Sequence, residues 1–250
     1  MVHRAWICAS FMRIAIIAAL PGELKPLVKH WQPVATDDKR TKKWTLFRDT
    51  DTWIAVCAGM GAEAARKAYA AAVSDGLADM LVSIGWAGSL NGTIRAGTAQ
   101  VPTVVIDAQT GEQFSLTEGK RKWRLVTTAR VADEAEKMRL AATYPGAAMV
   151  DMEAATVARL ATMHGIPLLC IKGISDAADV RLPDFNPFID QAGQLRTSRF
   201  VGYVALRPWY WSSLLHLGKS SARAAESMRD LVLEFMKEKD VEKLIRTGSV

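Results

Sequence analysis

Cysteine and histidine are scarce in this chain, three and four residues in 250, and that scarcity excludes several functions. Cys8, Cys57 and Cys170 lie in apolar runs, with no CxxC pair and no histidine at ligand spacing. That pattern argues against a disulfide framework or a zinc site and for buried thiols in a reducing cytoplasm. No cluster of His and Cys calls for a metal, and no motif requires an organic cofactor. No apolar run reaches the roughly 20 residues of a spanning helix. Met1 to Met12 does not read as a signal peptide, and because the first patterned element begins at Arg13, either Met1 or Met12 suits a natural start. The net charge of +6 is scattered among acids and forms no stripe, so a nucleic-acid partner is not expected. No internal repeat is present.

What the chain has is ordinary globular composition, 50% apolar and 23% charged, enough to bury a large core. Arg13 to Ala19 is a continuous apolar run, the signature of a strand covered on both faces. Pro21 suits the first turn of a helix through Leu24, Leu27 and Val28. Asp37 to Lys43 reads as a solvated charged loop. Further strands are expected at Trp53–Cys57, Met80–Ile84, Thr98–Ile106, Trp123–Thr128, Ala147–Val150 and Pro167–Lys172. Helices are expected at Ala62–Val73, Glu134–Ala142 and Met152–His164. This alternation specifies an α/β fold, a twisted mixed sheet flanked by helices. After Asp176 the character changes. Residues 181–196 are polar and carry Pro183 and Pro187, hence loop. Helix resumes from Arg199, is interrupted at Arg207-Pro208-Trp209-Tyr210-Trp211, and ends in a helical tail from Ala222 to Ile245. Residues 1–180 are therefore assigned to the α/β domain, and 181–250 to a loop and helical extension packed on it.

Two acids carry the chemistry. Glu153, in Val150-Asp151-Met152-Glu153-Ala154-Ala155, opens an apolar-periodic helix; alone, it is a carboxylate offsetting the helix dipole. Asp176, in Gly173-Ile174-Ser175-Asp176, follows an apolar strand. Together they set two carboxyl groups at element ends, where side chains face a shared cleft. A glutamate gripping ribose hydroxyls and an aspartic acid protonating a purine suffice to break a nucleoside in two.

From Arg13 to Asp179 these motifs resemble the nucleoside phosphorylase and nucleosidase superfamily (purine nucleoside phosphorylase type), most closely its methylthioadenosine/S-adenosylhomocysteine nucleosidases. The resemblance implies a site at strand ends, as in other open α/β sheets. It implies that Glu23 takes a proton from water, that Glu153 holds the ribose with Met152 beneath it, and that Asp176 protonates the base. Adenine is a poor leaving group until a ring nitrogen is protonated, so Asp176 is expected to stay uncharged in a low-dielectric cleft. Hydrogen bonds to Glu153 strengthen as the sugar becomes cation-like. Trp86, Ala87, Gly88, Val131 and Ser175 are expected to line the base pocket, with Glu112, Phe114 and Arg130 nearby. The turn at Gly59 and Gly61, which opens a helix, is expected to hold an anion or the water. No cofactor is implied, and a homo-oligomer is expected.

The chain departs from the family pattern in three places. Ser83 stands where phosphorolytic relatives present an arginine, and Leu20-Pro21-Gly22-Glu23 lacks their phosphate-binding turn. This favours water as nucleophile, with phosphate left open through Lys25 or Arg66. Trp86 replaces a small residue, either to stack on the base or to serve as a core side chain. The segment between the strands at Thr98–Ile106 and Trp123–Thr128 is short, leaving the 5′ end of the site open. The tail, with Trp209, Tyr210, Trp211, Arg207, Lys219 and Arg223, offers another wall and suits a membrane interface. It resembles the tail of hopanoid-associated members, thought to remove adenine from adenosylhopane. The expected substrate is thus a small-molecule or lipid-linked nucleoside, and the expected location cytoplasmic with peripheral membrane contact. Methylthioadenosine nucleosidase and phosphorolytic purine nucleoside phosphorylase are the alternatives. A dinucleotide site at Gly59-Met60-Gly61 lacks the acid at the end of the next strand. A non-enzymatic membrane protein does not explain why Glu23, Glu153 and Asp176 occur together.

Overall fold

In the computed structural model, which describes residues 11–116 and 123–237, the first apolar run forms β1 (Arg13–Ala18), buried after Arg13. Pro21 opens α1 (Pro21–Leu24). This helix lasts one turn, and Val28 belongs to a separate 3₁₀ turn. The longer helix expected here is cut at Pro26, which has no N–H for the helical ladder. β2 (Gln32–Val34), β3 (Lys42–Arg48) and β4 (Asp51–Cys57) follow. The expected charged loop therefore ends early. Lys42 and Lys43 pair with Cys57 and Val56, and the buried Lys43 ammonium reaches Asp75 Oδ2 at 2.7 Å.

α2 (Ala62–Ala72) leads to β5 (Met80–Ser89), which runs straight through Gly85-Trp86-Ala87-Gly88, where an end was expected. The single strand expected over Thr98–Ile106 is two strands, β6 (Ala99–Gln100) and β7 (Val104–Asp107), separated at Pro102, which cannot donate to a ladder. The chain continues with β8 (Gln113–Ser115), β9 (Arg124–Thr127), α3 (Glu134–Thr143), β10 (Ala147–Asp151), α4 (Ala154–His164) and β11 (Leu168–Asp176). It ends in α5 (Thr197–Ala205) and α6 (Trp211–Lys237). α6 starts eleven residues before the tail helix expected from Ala222. The stretch of that helix beyond 237 lies outside the described residues, as do Cys8 and the proposed start region before residue 11.

The sheet runs β2-β3-β4-β1-β5-β10-β9-β7-β8, with β11 and β6 branching from β5. β5 is parallel to β1 over its first half and to β11 along its length. At Gly88 and Ser89 it turns antiparallel to β10. Strands diverge there, and such a divergence opens a crevice at the strand ends. Alternation sorts the two faces. Ala15, Ile17, Val56 and Leu81 pack under the small residues of α2 and α4. Ile14, Ile16, Ala55 and Val82 face Leu24 and the buried Met228, Val232 and Phe235 of α6. α6 approaches closely because Gly173 has no side chain; a Cβ there would lie 3.0 Å from Ala224 and Met228.

Candidate active site

The start of α4 is fixed by its neighbours. Ala154 N donates to Asp151 Oδ2 at 2.9 Å and Ala155 N to Thr127 Oγ1 at 3.0 Å. Thr127 Oγ1 in turn donates to Asp151 Oδ1 at 2.7 Å. Glu153 is thereby freed from capping its own helix. Its side chain turns away and accepts the Gly61 N–H at 2.6 Å, across 92 residues of sequence. Burial, then the neighbouring Asp151, push the Glu153 carboxyl up to about 8, against the pull of Lys172.

Glu23 is 3% exposed and held by three amides. Oε2 accepts from Ala19 N and Leu20 N, and Oε1 from Trp86 N, each at 2.8 Å. Burial raises this carboxyl above the usual range, opposed by those N–H groups and by Lys172. Gly85 gives it room, since a Cβ there would meet Glu23 Oε1 at 3.2 Å. Trp86 is pinned by its indole N–H on Ser221 O of α6, at 2.9 Å. It is thus neither a wholly buried core residue nor a free stacking ring.

The glycine turn at Gly59 and Gly61 does not present the anion site expected of it. Its amides already have protein acceptors. Gly59 N donates to Ala19 O and Met60 N to Gly193 O, both at 2.9 Å, and Gly61 N to Glu153. The loop carrying Gly193 presses directly on the turn: a Cβ on Gly193 would lie 2.1 Å from Met60 O.

Asp176, the last residue of β11, was expected to stay uncharged in a low-dielectric cleft. Instead Lys137 of α3 donates to its Oδ2 and, at 2.8 Å, to Ala177 O. Ser175 Oγ donates to Oδ1. The Lys137 and Asp176 side chains are 3% and 10% exposed, so this is a buried ion pair.

One cavity of about 300 Å³ gathers Glu23, Trp86, Ala87, Gly88, Val131, Met152, Glu153, Ser175 and Asp176. Met60 lines it in place of the flanking Gly59 and Gly61. Among the described residues, its lining cations are Arg130 and Lys137. Lys25 is exposed, Arg66 pairs with Glu63 at the surface, and Ser83 is buried away from the lining. Glu112 and Phe114 line a different cavity, under α4. Leu182, Phe185, Leu195, Leu217 and Ser221 supply the wall contributed by the extension, whereas Trp209 and Tyr210 line an adjoining depression that shares Leu182.

Sequence reasoning missed the two buried lysines that pair with acids of the site, Lys137 and Lys172. Lys172 is 1% exposed and holds Asp151 Oδ2 at 2.8 Å. A lone lysine inside Leu168-Leu169-Cys170-Ile171-Lys172 is a readable signal, because such a charge is buried only when paired. Lys137 gives no comparable signal. It sits in a polar helix whose apolar Met138 is exposed instead. Among the described residues, no group of His, Cys, Asp and Glu has the makings of a metal site.

The phosphorylase superfamily model matches residues 13–123 and 124–204. The 5′-methylthioadenosine/S-adenosylhomocysteine nucleosidase of Buchnera aphidicola is 29% identical over 147 residues, which is 46% of this chain and 58% of that protein. The chain thus spans little more than half of that relative. The S-adenosylhomocysteine nucleosidase of Streptococcus pyogenes, solved with 5-methylthiotubericidin, superposes with a TM-score of 0.70 at 16% identity, covering 94% of this chain and all of that one. The Neisseria meningitidis enzyme in complex with methylthio-immucillin-A gives 0.69 at 16% identity, covering 90% and 99%. At these identities the two structures establish the fold.

Proposed function

This chain belongs to the phosphorylase superfamily, and from that premise we propose that it cleaves the N-glycosidic bond of a 5′-substituted adenosine, releasing adenine. The observation that carries the reading is the convergence of Glu23, Glu153 and Asp176 on one cavity. In this reading Glu153 and Met152 hold the ribose, and Glu23 is the base for the attacking water, work typically contributing about 10²–10⁴-fold. The Asp176 end of the cavity protonates the base. Water is favoured over phosphate because the amides of Gly59, Met60 and Gly61 already have protein acceptors.

The apolar residues of the extension that line the cavity support a bulky 5′ group, of which the lipid nucleoside adenosylhopane, in hopanoid biosynthesis, is the proposed case. Exposed Leu206, Trp209, Trp211 and Leu215 adjoin that wall. From Arg196 to Ala225 the chain has five Lys and Arg and no acid, which suits peripheral contact with an anionic membrane. Among the described residues no helix is long and apolar enough to cross one. The similarity to the Buchnera protein favours methylthioadenosine and S-adenosylhomocysteine as the second reading. Offering adenosylhopane in anionic vesicles and methylthioadenosine in parallel, with chromatography of adenine, separates the two. Faster release from the lipid is expected, and fast cleavage of the small substrate alone removes the lipid reading. The homo-oligomer belongs to the same proposal and is read by sedimentation.

A further inference from the structure

We propose that the proton delivered to the departing base comes from Lys137, passed through Asp176. The inference rests on the nucleosidase reading and adds the source of the proton. Four observations converge. Lys137 Nζ donates to Asp176 Oδ2. Lys137 itself lines the cavity that holds Glu153 and Met152. Ser175 occupies the other carboxyl oxygen. Gly88 keeps the space open, since a Cβ there would lie 3.0 Å from Lys137 Cε and 3.3 Å from Asp176 Oδ2.

In an ion pair the mobile proton sits on the amine. A carboxylate alone has none to give, so Asp176 acts as the conduit and Lys137 as the supply. A buried ion pair is weak evidence of a stabilising role, because an apolar pair of similar volume often serves as well. The bond from the anomeric carbon to the base nitrogen breaks and its electron pair stays on the base. A proton moves from Nζ to Oδ2 and from Oδ2 to a purine ring nitrogen. Lys137 is left as a neutral amine. Water adds its hydroxyl to the anomeric carbon, and the proton first taken by Glu23 returns through solvent to Lys137. Lys137 therefore positions and recharges Asp176 without touching the sugar.

The test uses a leaving group that needs no proton. Lys137→Gln keeps a hydrogen-bond donor beside Asp176 and removes the acidic one. Its turnover is compared on the better-cleaved adenosine and on a 4-nitrophenyl riboside with the same 5′ group, whose nitrophenolate leaves unassisted. We expect kcat on the adenosine to fall about 10²–10⁴-fold, with KM and nitrophenolate release within about threefold of wild type. Preserved nitrophenolate release also reports a folded site. Equal losses on both substrates, or no loss on the adenosine, overturn the proposal. Lys137→Met, of similar volume, is read the same way if the glutamine variant does not fold. Wild-type protein that cleaves neither substrate removes the nucleosidase reading as well. An active wild type with an indifferent Lys137→Gln removes only the lysine.

Discussion

At the scale of single residues, the site is a set of carboxyl groups whose behaviour follows from what surrounds them. Glu153 illustrates this with a measurable consequence. Its folded carboxyl sits at about 8 instead of the ordinary 4.5, raised chiefly by burial. The native state therefore holds this proton more tightly than the unfolded chain does. The contribution to stability is complete below about pH 4.5 and is lost as pH climbs to about 8. Glu153→Gln stays neutral throughout. Its melting temperature should exceed that of wild type at pH 8, with the gap closing at pH 5; a gap independent of pH contradicts the assignment. The same residue shows what sequence reading catches. The acid was visible at the head of an apolar helix. Its partner, Gly61 N, was not, because pairing across 92 positions depends on how α2 and α4 dock.

At the scale of elements, hydrophobic period recovered β1, β4, β9, β10, α2, α3 and α4 nearly in place. It failed where burial is one-sided or the element is short. β2 is fully exposed and β3 opens with two lysines, so neither has the apolar run that marks a strand. β8 has only three residues. Of the candidate site, the three acids and Trp86 were legible as residues of one cavity, but the continuation of β5 through Trp86 was not. The state of the glycine turn was not, since it depends on the loop 190–195 closing over it. That loop carries a prediction. Gly193 has φ +72° and touches Met60, so Gly193→Ala combines left-handed strain, about 1–3 kcal/mol, with a clash. It should lower the urea midpoint and raise KM by detaching the loop from the Met60 wall. A variant with wild-type KM would show that the loop does not shape the site.

At the scale of the whole molecule, the fold brings strands from both halves of the chain to one divergence. α1, which follows β1, and β5 deliver Glu23 and Trp86, β10 and the start of α4 deliver Asp151 and Glu153, and β11 delivers Lys172 and Asp176. Lys172, buried among Glu23, Asp151 and Glu153, offsets charge that no single element balances. α6 then closes the arrangement by covering the sheet through Met228 and Val232 and by supplying Leu217 and Ser221 to the cavity. The central claim is water-driven release of adenine, and product analysis in ¹⁸O-labelled water, with and without phosphate, tests it most directly. The account predicts adenine and an ¹⁸O-labelled free sugar at a rate indifferent to phosphate, with Asp176→Asn about 10²–10⁴-fold slower. A sugar phosphate formed only when phosphate is present, or full activity in Asp176→Asn, would contradict it.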